Sequence, residues 1–488
     1  MLNTIKDEAN ITRTENGAKA FRSTENFCLD LFSSIGALRN ADETDIINQF
    51  IRAYTENADL AMKILFFARD IRGGLGERRV FRTIFKWLAQ KNTASADKNL
   101  EYVSEYGRFD DLFVLLGTPC ENHLIKYIKT RLDADIASMA EQKEVSLLAK
   151  WLPSVNASNA NTVYQGKYIA KKLEMTEMQY RKTVSSLRAY IKIIENYLRK
   201  KDYTFDYSKQ PSKAMLKYRQ AFLNNDAERY REYLKNVACG KANMHTGTLM
   251  PYDVIAPLCR WHDSTVDEAQ RAALDTAWNA LEDVCGSENA IAVIDGSGSM
   301  YSYGTPPPIQ VALSLGIYFA EHNKGAFANH FITFSESPQL VEIKGRDIAE
   351  KVAFCKTFCE IANTNIQKVF ELILDAAVKN KVPQSELPSA VYVISDMEFD
   401  CCTEDADITH FAYAKRRFAE SGYELPKLIF WNVQSRSMQQ PVRQNEQGVA
   451  LVSGCSPGLF NAVLGGDLEP YTFMVETVCT ERYKKISA

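Results

Sequence analysis

The spacing of apolar residues changes abruptly near Cys285-Gly286-Ser287, and that change bounds what the chain can fold into. From Phe27 to about Asp283 apolar residues recur at three- and four-residue steps, as in Val80-Phe81-Ile84-Phe85-Trp87-Leu88 and Leu124-Ile125-Ile128-Leu132-Ile136-Met139. This spacing lines one face of an α-helix. Short breaks separate the segments, among them Arg72-Gly73-Gly74-Leu75-Gly76, Lys150-Trp151-Leu152-Pro153-Ser154 and the polar run 156–161. Segments of about 10–18 residues joined by such turns describe an all-α array of stacked helix pairs, HEAT-like in kind. Beyond Ser287, short β-branched runs alternate with helical ones. Residues 290–294, 330–334, 340–343, 390–394, 428–433 and 450–452 read as strands, and 308–322, 367–378 and 411–420 as helices. That alternation predicts a doubly wound, mostly parallel α/β sheet. The expected organisation is a polar, poorly ordered N-terminus (1–26), a helical repeat domain (27–285) and an α/β domain (286–488).

The most informative string is Ile294-Asp295-Gly296-Ser297-Gly298-Ser299-Met300. It follows a predicted strand and precedes a helix, so it belongs at the C-terminal edge of the sheet, where open α/β sheets bind ligands. An aspartate and two serines at alternating positions of a tight loop direct three oxygens to one spot, which suits a small, hard cation such as Mg²⁺ or Mn²⁺. Two later residues extend the set. Thr364 sits at a predicted helix start, where its hydroxyl either caps the helix or reaches the ion. Asp396 follows the strand 390–394.

This pattern resembles the von Willebrand A family and its metal-ion-dependent adhesion site: Asp-x-Ser-x-Ser, a threonine on a second loop, an aspartate on a third. The resemblance implies that Asp295, Ser297, Ser299 and Thr364 contact the cation directly or through water. It implies that Asp396 acts through water, and that a partner protein's carboxylate fills the open coordination position. Together with the breaks at 70–78 and 150–154, the domain order resembles an uncharacterised family in which a TROVE-like helical region precedes an A domain. The Ro autoantigens share that order, and their helical repeats bind small and misfolded RNAs. RNA is the partner this resemblance implies.

Charge points the same way. The net charge of −3 hides an imbalance: 143–241 holds 20 Lys and Arg against 9 Asp and Glu, whereas 286–488 holds 17 against 24. Lys167, Lys171, Lys172, Arg181, Lys182, Arg188 and Lys192 are the candidate RNA contacts, interleaved with Tyr164, Tyr168, Tyr180, Tyr190 and Tyr197. Cations release counterions from phosphates, and tyrosine rings stack on unpaired bases. Solvated lysine-rich helix faces give the same composition. The alternative reading is therefore a protein-interaction scaffold that binds an acidic partner through the A-domain metal.

Other classes are disfavoured. His245 and His262 lack metal-ligand spacing, and no phosphate-binding glycine loop is present, so no enzyme is expected. No run of about 18 uncharged apolar residues occurs, and the first residues lack an apolar signal core. Cysteines scattered inside apolar runs read as free thiols, which predicts a cytoplasmic protein without membrane association.

Overall fold

The structure is a computed structural model. It describes residues 1–259, 266–286, 289–302, 304–359, 365–401, 408–463 and 468–488. A helix, Leu2–Asn10, opens the chain and leads into an antiparallel hairpin, β1 (Ile11–Arg13) and β2 (Lys19–Phe21). Residues 1–26, expected to be poorly ordered, hold this helix and hairpin. The hairpin is held by residues nearly 400 positions away: Thr14 Oγ1 donates to Phe399 O at 2.6 Å, and Phe21 and Gln440 exchange backbone hydrogen bonds at 2.8 and 2.9 Å. Three-residue strands whose partners lie that far off leave no local periodicity to read.

From Phe27–Ile35 to Glu268–Asn279 the regular elements are helical, and among the described residues no strand interrupts them. Local chemistry sets many of the boundaries. Asp42 accepts from Thr44 N and Asn57 from Leu60 N, capping Glu43–Glu56 and Ala58–Arg69. The second of these is apolar almost all round, with Leu60 to Arg69 buried except for Lys63, because neighbouring helices cover it on most sides. At the break that follows, the backbone folds back so closely that a Cβ on Gly74 would lie 2.0 Å from Phe67 O.

The second region is a six-stranded sheet built from β3 (Ala290–Asp295), β4 (His330–Phe334), β5 (Leu340–Glu342), β6 (Ala390–Ser395), β7 (Lys427–Asn432) and β8 (Val449–Ser453). The order is β5-β4-β3-β6-β7-β8, with β5 antiparallel at one edge and every other pairing parallel. Every residue of β3 and β6 is buried, so these strands read as continuous apolar runs. The chain winds outward in both directions from the β3–β6 pair, which makes the carboxyl ends of these two strands the topological switch point. The predicted architecture, a helical array followed by a doubly wound α/β domain, is the observed one.

The two regions share one apolar core. Helix Phe27–Ile35 packs on β8, and Gly36 is required where it lands: a Cβ there would meet Ser453 O at 2.5 Å. The C-terminal segment returns to the helices. Arg482 Nη2 donates to Asp70 Oδ1 at 2.7 Å, Tyr483 Oη to Asp70 Oδ2 at 2.9 Å, and Lys98 Nζ to Ala488 O at 2.9 Å. The charge in the glycine-rich break at 70–78 is thus answered by the far end of the chain. No helix among the described residues is long and apolar enough to cross a membrane.

Candidate metal centre and basic surface

Asp295 ends β3 and Asp396 follows β6 by one residue, so the two central strands bring two carboxylates to the switch point. The turn between Asp295 and Ser297 needs a glycine, because a Cβ on Gly296 would lie 2.9 Å from Cys359 Cα. Asp295 is 1% exposed. Its Oδ1 accepts from Ser297 N at 2.9 Å, and its Oδ2 from Ser395 Oγ at 2.6 Å. The Ser297 and Ser299 hydroxyls lie 3.0 Å apart. Asp396 is 3% exposed, and its Oδ1 accepts from Glu398 N at 3.3 Å. Its Oδ2 pairs in charge with Arg436 Nη2 at 3.3 Å, but without hydrogen-bond geometry, so this buried oxygen has no donor among the described residues. Thr364 lies outside the described residues.

Burial, with repulsion from Asp396 added, pushes the Asp295 carboxyl above the usual range, while the hydrogen bonds from Ser395 and Ser297 pull it back. Burial likewise raises Asp396, against the Ser299 hydroxyl and the Arg436 guanidinium. Two buried carboxylates beside one guanidinium leave negative charge uncompensated, and unpaired buried charge is costly. Among the described residues no three His, Cys, Asp or Glu side chains converge as a metal group, so a cation here needs the serine hydroxyls as well. Oxygen-only ligands with an orphaned carboxylate oxygen fit a small divalent cation.

Two participants were not singled out in the sequence. Ser395 had a readable signal: Ile294 pairs with Ile394, which places Ser395 beside Asp295. Arg436 had none. Glu398, which the sequence reads as part of a solvated acidic rim, is instead buried. Its Oε2 accepts from Glu15 N at 2.9 Å and from Gln439 Nε2 at 2.8 Å.

The seven candidate RNA contacts separate into three groups. Arg181, Lys182 and Lys192 are exposed and line a groove of about 960 Å³ together with Arg199 and Lys200. None of these five forms an ion pair among the described residues, and Lys171 is likewise exposed and unpaired. Lys167 and Lys172 are spent within the fold, on Glu177 at 3.2 Å and on Glu121 at 2.5 Å. Arg188 is a structural latch. Its guanidinium donates to Ala149 O at 2.8 Å, Ser154 Oγ at 2.6 Å and Leu152 O at 2.5 Å, fixing the break at 150–154. The tyrosines divide too: Tyr180 is core, Tyr190 Oη is bound to Lys143 O, and Tyr164 stands 69% exposed.

A second groove, of about 1340 Å³, lies on the other side of Arg188 and shares Arg199 with the first. Its lining adds Arg72, Arg131, Lys150 and Lys217, with Trp151 and Tyr127. Arg72 and Arg131 come from outside the basic stretch 143–241, and only the packing of the helices brings them there.

The fold and these two features define a class: a helical array with a basic, grooved face, packed on a doubly wound α/β domain with an aspartate–serine cluster at its switch point. The chain belongs to the family described as domain of unknown function DUF2828, whose model matches residues 14–132 and 123–286. A second description, domain of unknown function DUF7788, matches 289–484. The uncharacterized protein L728 of Acanthamoeba polyphaga mimivirus is 30% identical, covering 95% of this chain and 88% of its own length. The crystal structure of the Deinococcus radiodurans Ro (RSR) protein aligns with a TM-score of 0.37 at 12% identity, over 89% of this chain and 92% of that one.

Proposed function

We propose that this chain binds RNA through the basic face of its helical region, and that its α/β domain holds Mg²⁺ or Mn²⁺ and recruits a protein carboxylate through it. The observation that carries the RNA reading is the groove lined by Arg181, Lys182, Lys192, Arg199 and Lys200, five cations with no ion-pair partner among the described residues and Asp202 as the acidic residue among them. Exposed, uncommitted cations along a groove are what a polyphosphate backbone needs, and the flanking, exposed Tyr164 offers a ring face for unpaired bases. Small or misfolded RNAs with single-stranded segments are the substrates that such a surface suits. Titrating single-stranded and hairpin RNAs into the protein at several salt concentrations tests this. The expected result is micromolar or tighter binding that weakens steeply with salt, whereas salt-insensitive or undetectable binding removes the reading and leaves an acidic protein as the groove's occupant.

The metal reading rests on the donorless Asp396 Oδ2 beside Asp295, Ser297 and Ser299. These residues, with Thr364 added, would hold the cation. When bound, the cation neutralises the two aspartates and polarises one further oxygen ligand.

A further inference from the structure

We propose that Glu15, at the tip of the β1–β2 hairpin, is an in-chain carboxylate ligand of the metal centre, so that a partner's carboxylate must displace it. This rests on the reading of Asp295, Ser297, Ser299 and Asp396 as a cation site. The hairpin tip lies across the rim of that site. Glu15 N donates to Glu398 Oε2 at 2.9 Å, Asn16 Nδ2 to Glu398 O at 2.7 Å, and Cys401 N to Asn16 O at 3.2 Å. The Asp396–Cys401 loop and the tip are therefore clamped by hydrogen bonds none of which uses the Glu15 side chain.

That side chain is about half exposed, and its Oε2 lies 3.1 Å from Arg436 Nη1. The other terminal nitrogen of the same guanidinium lies 3.3 Å from Asp396 Oδ2. One planar group thus spans the two carboxylates, bringing the Glu15 side chain to the same guanidinium as the Asp396 oxygen that has no donor among the described residues. Charge gives the direction. Arg436 is the cation that pairs with both Asp396 and Glu15 among the described residues, so a divalent cation adds positive charge beside the buried Asp295 and Asp396, and Glu15 is exposed enough to move. Holding that carboxylate on the same chain sets its effective concentration at the site by geometry, and a partner has to outcompete it.

The test is calorimetric titration of Mn²⁺ alone into the full chain at fixed ionic strength. Glu15→Gln keeps the backbone clamp and the side-chain shape and removes one charge. The expected result is a weakening of Mn²⁺ binding by at least about fivefold, on the scale of one charge interaction at a partly exposed site. Glu25→Gln is the control. Its carboxylate also sits in the N-terminal segment and pairs with Arg443 at 3.3 Å, away from the site, so Mn²⁺ affinity should not change. Equal affinity in the parent and Glu15→Gln overturns the proposal, as does an equal loss in both variants, which would mark a bulk charge effect. If Asp295→Asn abolishes binding while Glu15→Gln does not weaken it, the cation site stands and only the role of Glu15 falls. If the parent itself takes up no Mn²⁺, both fall together.

Discussion

The carboxyl edge of the sheet and the basic face of the helices carry opposite charges, and they hold them in opposite ways. At the sheet edge Asp295 and Asp396 are buried, fixed by hydroxyl and backbone donors, and pushed above the usual carboxylate range by burial. On the helical face Lys171, Arg181, Lys182 and Lys192 are exposed and uncommitted. A buried, preorganised cluster pays desolvation in advance and selects one small ion by geometry. An exposed set of long side chains selects charge alone, and its strength depends on number and on salt.

The largest expected effect tests the exposed side. Reversing charge at Lys171, Arg181, Lys182 and Lys192 together should weaken RNA binding on the order of a hundredfold at low salt and flatten the salt dependence. The loss should be similar across RNA sequences, because phosphate contacts carry no sequence information. A loss confined to one sequence would show base readout and break the comparison. Arg188→Ala should behave differently. It removes three partly buried donors from Ala149 O, Leu152 O and Ser154 Oγ, which should cost about 2–4 kcal/mol of stability. Chemical denaturation checks this, and a variant as stable as the parent but deficient in RNA binding would return Arg188 to the contact surface.

That division of the basic residues shows what was legible in the sequence. The fold class was, because β-branched runs and three-to-four spacing are local patterns. The edge cluster was legible because strand ends at the switch point are fixed by topology: once β3 and β6 are neighbours, Asp295 and Asp396 must meet. The basic face was legible in composition only. Nothing near Arg188 reveals that its hydrogen bonds go to 149–154, and Arg72 and Arg131 join the surface only through packing. The N-terminal hairpin and Arg436 were hidden for the same reason, since their partners lie across the chain.

The buried side is tested by the cation. Mg²⁺ at about a hundred times its Kd should stabilise the parent by about 2.7 kcal/mol, seen as a rise in Tm, since a ligand that binds only the native state stabilises it. Asp295→Asn keeps the shape of the residue and removes one of two repelling charges. It should lose the whole rise, yet melt no earlier than the parent in chelator. A retained rise would place the ion elsewhere.

A similar but opposing effect comes from His410, also under the sheet edge, where Nε2 lies 2.8 Å from Asp400 O. Burial pushes its pKa down from 6.5 to about 4. The unfolded chain therefore binds a proton that the native state refuses, so this residue's contribution is full above pH 6.5 and is lost as pH falls towards 4. The loss amounts to roughly 3 kcal/mol. Asp30, pushed up to about 6 by burial in the helical region, works with the opposite sign and loses stability as pH rises from 3.8 towards 6. Urea unfolding of His410→Gln should show a flatter decline than the parent between pH 7 and 4, and an identical decline would mean that His410 is not the titrating group.

The smallest expected effect is the most discriminating. If the two surfaces are independent, saturating Mg²⁺ should change RNA affinity by less than about twofold beyond its ionic-strength effect, and Asp295→Asn should bind RNA as the parent does. The reasoning is thermodynamic: coupling between two sites equals the difference that one ligand makes to the other's free energy, and it is reciprocal. The grooves are lined by residues of the helical region, whereas the proposed cation ligands sit at strand ends of the α/β domain. The regions do share a core, through Gly36 against Ser453 and Asp70 against Arg482, so a route for coupling exists in principle. Neither contact touches the cluster at Asp295 or the groove at Arg181, however. Measuring RNA affinity in Mg²⁺ against Ca²⁺-free chelator, with monovalent salt adjusted to hold ionic strength constant, separates coupling from screening. A change of tenfold or more that disappears in Asp295→Asn would make the sheet edge and the helical face a single device, and the contrast between them would become a description of its two halves.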